Sequence, residues 1–150
     1  MYHTDQHRDD RPADTHRVDI RVRYAECDAM GHLHHARYWD YFEQVRTELL
    51  RRNGIRYRDL EAQGVFFVVY KAECKYLRPI RYDDVATVST TVTRITRTRV
   101  DHAYEIHTGA DQPDTRALAC RAATTLACVG PDGRPITMPD ALWASAAARR

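Results

Sequence analysis

The chain has 150 residues, of which 29% are charged, and its formal net charge is only +2 at pH 7. A chain of this length is typical of one domain. So small a charge excess does not indicate nucleic-acid binding, which would require a clustered basic face. No apolar run reaches the ~18–20 residues that a membrane-spanning helix requires, so we expect no membrane span.

The N-terminal segment and the cysteines indicate the compartment. Residues 1–15 are polar and charged and lack the apolar region of a secretory signal. We interpret them as a disordered lead-in to a single domain over residues 16–150. The four cysteines form no C-x-x-C pair. Without a secretory signal, such cysteines favour reduced thiols, so the sequence predicts a cytoplasmic protein.

Hydrophobic periodicity predicts the first two elements. Residues 18–24 alternate between apolar and charged side chains, as a half-buried strand does, with Tyr24 on the apolar face. Residues 35–52 carry apolar side chains at steps of three and four, which predicts a long amphipathic helix. Asn53 and Gly54 provide its C-terminal stop.

A strand with two different halves follows the helix. Residues 65–78 begin apolar on both faces and then alternate. The alternation predicts that Ala72, Cys74 and Tyr76 face the core, opposite the charged residues between them. Before this strand, residues 58–63 can form one short helical turn.

The rest of the chain is predicted to be strand. Two alternating strands are centred near Val88 and Tyr104, and residues 115–129 are small and apolar on both faces except for Arg116 near the start and Arg121. The last pattern is typical of a central strand. Residues 139–148 can form a C-terminal helix. One early helix with a run of antiparallel strands indicates an α+β fold.

The densest motif lies between Tyr24 and Gly54 and reads YAECDAMGHLHHARYWDYFEQVRTELLRRNG. It resembles the signature of hotdog-fold acyl-CoA thioesterases of the 4-hydroxybenzoyl-CoA thioesterase type. One branch, Y-x-D-T-D-x-x-G-x-V-x-H-A-N-Y and then Y-x-E-x-A-R, is matched by Tyr24, Asp28, Gly31, His35, Ala36, Tyr38, Tyr41, Glu43 and Arg46. Another branch, G-H-V-N-N-x-x-Y, is matched by Gly31, His32, Leu33, His34, His35 and Tyr38.

The resemblance implies both a fold and a reaction. The fold is the hotdog, a curved antiparallel five-stranded sheet wrapped around one long central helix, and the periodicity agrees with that order of elements. The reaction is hydrolysis of an acyl-CoA or acyl-carrier-protein thioester to a free carboxylic acid and a thiol. Nothing in the sequence separates the two donors.

The resemblance also implies the catalytic residues. By spacing alone, Asp28 is more typical of an aspartate that caps a turn or a helix. The aligned motif instead makes it the catalytic carboxylate, acting as nucleophile or general base. His35 falls on the histidine that orients the substrate and polarises the reacting group. Tyr24 precedes the aspartate and could position it or the attacking water, although packing on the helix is an equally good account.

The expected substrate-binding residues surround this catalytic group. They are Gly31, His32, His34, Arg37, Tyr38 and Trp39. Two departures from the family pattern matter, because family members often have asparagine where Arg37 stands and threonine where Cys27 stands. Arg37 could meet a carboxylate or a phosphate of the substrate, which leaves the substrate class open. Cys27 would need a base partner and a lowered pKa to act as a nucleophile.

We expect no metal and no cofactor. His32 and His34 are two residues apart, no acidic or cysteine ligand stands at a helical step from them, and the H-E-x-x-H pattern is absent. There is also no G-x-G-x-x-G or P-loop pattern for a nucleotide.

Two other function classes compete with the thioesterase. Hotdog hydratases and dehydratases carry differently arranged histidine and acid or asparagine motifs, and neither form is found. A non-enzymatic acyl-binding protein is the third class, against which Asp28 and His35 argue weakly. For any of them, a single sheet leaves an edge strand and an apolar face uncovered, so we expect a homodimer or homotetramer with sites at the subunit boundary.

Overall fold

The computed structural model describes residues 15–142. The predicted lead-in lies outside this range except for its last residue, Thr15, at which the first strand begins. Of the predicted C-terminal helix, residues 140–142 are helical and the remainder lies outside the described residues.

One sheet and one long helix make up most of the fold. In chain order the elements are β1 (Thr15–Arg21), α1 (Arg37–Arg52), α2 (Tyr57–Ala62), β2 (Phe66–Tyr76), β3 (Val85–Ile95), β4 (Arg99–Thr108) and β5 (Ala117–Val129). All strand pairs are antiparallel, in the spatial order β1-β3-β4-β5-β2. In the described part of the chain, no helix is long and apolar enough to cross a membrane.

The predicted apolar stripe of α1 forms the centre of the core. Its buried side chains are Tyr38, Tyr41, Phe42, Val45 and Leu49. They pack against buried residues of the sheet, and the rings of Phe42 and Tyr104 have centroids 4.6 Å apart. Burying a side chain such as Phe42 contributes about 1.5–3 kcal/mol, so this stripe fixes α1 across the sheet.

The chain leaves the sheet earlier at β1 than the alternation predicts. The strand ends at Arg21, and a short 3₁₀ turn covers Tyr24–Glu26. Tyr24 is 80% exposed, so its predicted inward position is wrong. The turn ends the alternation of buried and exposed side chains. Its Cys27 N–H donates to the Tyr24 carbonyl at 3.1 Å, and the side chain of Glu26 is buried where that of Tyr24 is exposed.

The inner face of β2 is also more open than predicted. Cys74 packs on the core, but Ala72 and Tyr76 are exposed. β2 lies at the edge of the sheet, so α1 covers its inner face only in part. A bulge between Val69 and Lys71 leaves Tyr70 without a partner on β5.

Candidate active site

The loop between β1 and α1 is closed by the carboxylate of Asp28. Its Oδ1 accepts hydrogen bonds from the N–H groups of Met30 at 2.9 Å and His32 at 3.2 Å. The Asp28 carbonyl accepts a third bond from Gly31 N–H at 3.0 Å. Gly31 has φ +75°, where a side chain is strained, so this turn favours glycine. Asp28 therefore caps a turn, whatever else it does.

Backbone hydrogen bonds connect the two ends of this loop and attach it to the segment between β2 and β3. Leu33 N–H donates to the Ile80 carbonyl at 2.6 Å, and His34 N–H donates to the Glu26 carbonyl at 2.9 Å. Asp28 N–H donates to the His32 carbonyl at 2.8 Å. These bonds hold the backbone before and after Asp28, and together with the bonds to Oδ1 they fix the direction of the Asp28 carboxylate.

The histidines after the loop shape the start of α1. His34 Nδ1 accepts a hydrogen bond from Ala36 N–H at 3.1 Å, and the His34 carbonyl accepts one from Arg37 N–H at 2.8 Å. The His34 and His35 rings stack at 4.2 Å. Tyr76 of β2 donates its hydroxyl to the His35 carbonyl at 3.2 Å. The first turn of α1 is therefore tied to both the loop and the edge strand.

A cavity of about 260 Å³ opens where these elements meet. Its lining residues are Asp28, His32, Leu33, His35, Tyr38, Tyr76, Leu77, Arg78 and Pro79. Four of the residues singled out from the sequence thus come together: Asp28, His32, His35 and Tyr38. Burial raises the pKa of Tyr38, so its hydroxyl stays protonated at neutral pH.

Five other candidate residues do not line this cavity in the single chain. Tyr24 packs edge-on against the ring of Tyr82, with centroids 5.6 Å apart. Gly31 and His34 shape the loop and the helix start, as described above. Arg37 pairs with Asp40 at 3.2 Å on the exposed face of α1. Trp39 packs against Phe42 at the border of the core.

Cys27 is a thiol rather than a thiolate. Burial and the nearby carboxylates of Asp28 and Glu26 raise its pKa. A protonated thiol is a poor nucleophile, so the carboxylate of Asp28 is the better candidate. All four cysteines are free.

Sequence reasoning missed Glu26, a buried carboxylate two residues before Asp28. Its Oε1 accepts hydrogen bonds from Arg23 N–H at 2.9 Å and from the Tyr41 hydroxyl at 3.0 Å. Glu26 thereby joins the Asp28 loop to the middle of α1. The resembling family pattern also has an acidic residue at this position, and that was the signal available in the sequence.

The histidine cluster does not assemble a ligand set. Between residues 15 and 142, no group of three or more His, Cys, Asp and Glu side chains is placed to hold a metal ion. The geometry instead uses His34 to cap the helix start and His35 to line the cavity.

The fold is that of a hotdog thioesterase, and comparison with known proteins gives the same family. The model of the thioesterase-like superfamily matches residues 22–145. The acyl-CoA thioester hydrolase YbgC of Escherichia coli O6:H1 is 31% identical over 129 residues, which cover 85% of this chain and 92% of that relative. The chain therefore belongs to the thioesterase-like superfamily.

Solved structures extend the similarity to the whole fold. The DHNA-CoA thioesterase from Staphylococcus aureus is 31% identical, with a TM-score of 0.79 and coverage of 89% of each chain. A hypothetical protein from Thermus thermophilus is 27% identical, with a TM-score of 0.81 and coverage of 90% of this chain and 99% of that one. The predicted α+β hotdog fold and the predicted class, a hydrolase of thioester bonds, are confirmed.

Proposed function

We propose that this chain hydrolyses acyl-CoA thioesters at the Asp28 cavity and releases a free carboxylic acid and coenzyme A. The observation that carries the proposal is the meeting of Asp28, His35 and Tyr38 on one cavity beside the start of α1. Thioester hydrolysis needs an activated oxygen and donors for the charge that develops on the carbonyl oxygen. The name of the Escherichia coli relative, an acyl-CoA thioester hydrolase, supports this choice of substrate.

Asp28 supplies the activated oxygen. Both hydrogen bonds to its carboxylate involve Oδ1, and no residue between 15 and 142 donates to Oδ2. Oδ2 can then take a proton from a water whose oxygen attacks the thioester carbon. Alternatively, Oδ2 attacks that carbon itself and forms a mixed anhydride, which water hydrolyses in a second step. Both roles use the same carboxylate position.

The start of α1 supplies the donors. The first N–H groups of a helix have no carbonyl one turn earlier, and the helix dipole favours negative charge there. They stabilise the carbonyl oxygen as it becomes an oxyanion, while His35 orients the substrate. Collapse of the tetrahedral intermediate breaks the C–S bond and releases coenzyme A, which leaves as a thiolate and takes up a proton.

The walls of the cavity suit an acyl group next to a charged carrier. Tyr38, Tyr76, Leu77 and Pro79 form apolar walls, and Arg78 adds a positive charge at the rim. A guanidinium pairs well with phosphate. The acyl group thus lies against the tyrosines, with coenzyme A extending past the arginine side.

The active assembly in this proposal is a homodimer at least. β2 exposes Val68, Val69 and Tyr70 along an edge that has unpaired backbone groups. Tyr76 and Leu77, at the end of the same strand, line the Asp28 cavity. A second copy paired along β2 covers this apolar edge and adds a wall to a cavity that is small for its substrate.

The first experiment measures turnover of the Asp28→Asn variant. Asparagine retains an Oδ1 that can accept the bonds from Met30 and His32, but it is neither basic nor nucleophilic. Positioned general-base catalysis is worth about 10²- to 10⁴-fold, so we expect kcat to fall by at least ~10²-fold with little change in melting temperature. A kcat within threefold of the parent would remove Asp28 from the catalytic site.

Three further variants separate the roles around Asp28. Asp28→Ala loses the turn bonds as well, so it should lower both turnover and melting temperature. His35→Ala should cost less activity than Asp28→Asn, because His35 only orients the substrate and polarises its reacting group. Tyr24→Phe tests whether the tyrosine hydroxyl positions the attacking water, since only that role predicts a loss of turnover without a loss of stability.

The substrate and the two chemical routes need their own measurements. A panel of acyl-CoA thioesters, with one carrier-protein thioester included and the released thiol detected, ranks acyl groups and separates hydrolysis from mere binding. In ¹⁸O-water, label that enters Asp28 over repeated cycles indicates a mixed anhydride. Label found only in the product acid indicates general-base catalysis.

A further inference from the structure

A second and larger cavity, of about 840 Å³, lies beside the C-terminal half of α1. It is lined by that part of the helix, by residues of α2, β2, β3, β4 and β5, and by residues that follow β5. It shares no lining residue with the Asp28 cavity. Its size is that of a site for a small organic molecule. The function proposed above makes no use of this space.

The wall of this cavity carries a positive charge with little compensation. The side chain of Arg46 is only 16% exposed, and its carboxylate partner, Glu43, stands 3.9 Å away with its side chain 73% exposed. A pair at this distance with a solvated carboxylate compensates weakly for the cost of burying a guanidinium. Arg46 also interacts with the Tyr104 hydroxyl, which is neutral because burial raises the pKa of that tyrosine, so the guanidinium favours an anion in the cavity.

His102 lies beside Arg46 and is also incompletely paired. The residue is 8% exposed, and its Nδ1 is buried without a hydrogen-bond partner in the described part of the chain. Buried polar atoms in folded proteins nearly always have a partner, so an orphaned nitrogen indicates a missing one. Because burial and the charge of Arg46 lower the pKa of His102 to about 4, the ring is neutral and can donate one N–H.

The remaining wall is mostly apolar, with positive charge. Its apolar lining includes Leu49 of α1, Val100 of β4 and Leu126 of β5. Arg94 and Arg97 also line the cavity, and Arg97 is 3.8 Å from Asp140. Glu43 is the acidic residue of the lining. This combination suits a molecule with an apolar body and an anionic head.

We propose that this cavity is a second binding site, separate from the catalytic one, for a carboxylate of the fatty-acid class. The carboxylate accepts hydrogen bonds from the Arg46 guanidinium and the His102 ring, and the hydrocarbon chain lies against Leu49, Val100 and Leu126. The site does not depend on the catalytic role of Asp28.

Calorimetric titration of the full chain with dodecanoate tests the site. We expect saturable binding of one dodecanoate per chain. Dodecanol, which lacks the charge, should bind at least tenfold more weakly, and dodecyltrimethylammonium should not bind. The Asp28→Asn variant should bind dodecanoate as the parent does, so the result is independent of whether Asp28 is catalytic. Equal affinity for dodecanol, or no saturable binding of dodecanoate, would overturn the proposal.

A matched pair of variants locates the head group. Arg46→Gln should weaken dodecanoate binding at least tenfold, whereas Arg134→Gln, an exposed arginine on a turn outside the lining, should leave it unchanged. Unaltered affinity in a folded Arg46→Gln protein would contradict the assignment.

Photolabelling of the parent protein gives the same information without a variant. A dodecanoate that carries a diazirine at its chain end should label residues 46–57 and 92–102, and excess dodecanoate should suppress the labelling. Labelling confined to residues 28–38 and 76–79 would place the molecule in the Asp28 cavity and refute a second site.

Discussion

Glu26 and His102 are both buried and ionisable, but their surroundings keep Glu26 charged and His102 neutral at pH 7. Burial raises the pKa of Glu26, but hydrogen bonds from Arg23 N–H and the Tyr41 hydroxyl outweigh it, and the net pKa is below its ordinary value. His102 has no such support. Burial, together with Arg46, lowers its pKa to about 4, against a smaller opposite effect of Asp101. Glu26 is therefore charged and His102 neutral at pH 7.

Glu26 should be the most sensitive polar position in the Asp28 loop. Glu26→Ala leaves the buried Tyr41 hydroxyl without its acceptor, and loss of one partner of a buried hydrogen bond costs about 1–3 kcal/mol. We expect that decrease in the free energy of unfolding, measured in urea, and a lower kcat because the Asp28 loop loses its tie to α1. Glu61→Ala, at an exposed helical glutamate, is the control and should change neither. A Glu26→Ala protein as stable and active as the control would contradict this role.

His102 should make the folded state less stable as the pH falls. The pKa of His102 in the folded state is below the ordinary value of 6.5, so between pH 6.5 and about 4 the unfolded state binds more protons. The free energy of unfolding therefore decreases as the pH is lowered through this range. From pH 7 to pH 5 this costs about 2 kcal/mol. In His102→Gln the same pH change should cost less by about that amount, as measured by urea unfolding at both pH values. A variant with the slope of the parent would show that His102 takes up its proton near its ordinary pKa in the folded state.

Hydrophobic periodicity predicts those helices and strands whose own residues carry a strong pattern. α1 and β5 have strong patterns, a helical apolar stripe and small apolar residues on both faces, and both lie where those patterns place them. Tyr24 was placed wrongly because the 3₁₀ turn after β1 depends on the Glu26 network, which joins residues 15 positions apart. Neither cavity could be predicted, because each depends on how side chains from several elements pack together.

The contact between α1 and the sheet should dominate stability. Phe42 is fully buried and packs on both Tyr104 and Trp39. Phe42→Ala removes that packing and leaves a cavity, which typically costs about 3–5 kcal/mol. Leu77→Ala truncates an apolar residue that is half exposed, so it should cost far less. Urea unfolding of both variants checks the difference, and equal losses would mean that α1 is not the centre of the core.

The two edges of the sheet differ in polarity, since β1 exposes charged side chains and β2 exposes apolar ones. β1 presents charged side chains at Arg17, Asp19 and Arg21, which discourage pairing with another sheet. β2 instead exposes apolar side chains, Val69 among them at 53%. The sequence alone predicted that some edge would be covered, and the strand order shows which edge is apolar. The same edge strand carries Tyr76, so the proposed dimer contact and the proposed catalytic cavity share one strand.

The different character of the two edges predicts an oligomer that is paired along β2. Light scattering should give at least twice the chain mass of 17.4 kDa at micromolar concentration. Val69→Lys places a charge on the apolar edge and should shift the protein towards monomer, because burying an unpaired ammonium at an interface is costly. Thioesterase activity should fall with it, since each Asp28 cavity would lose the wall supplied by its neighbour. Gln112→Lys adds the same charge to an exposed turn away from β2 and should retain both mass and activity. A parent protein of about 17 kDa, or a fully active Val69→Lys monomer, would rule out assembly along β2.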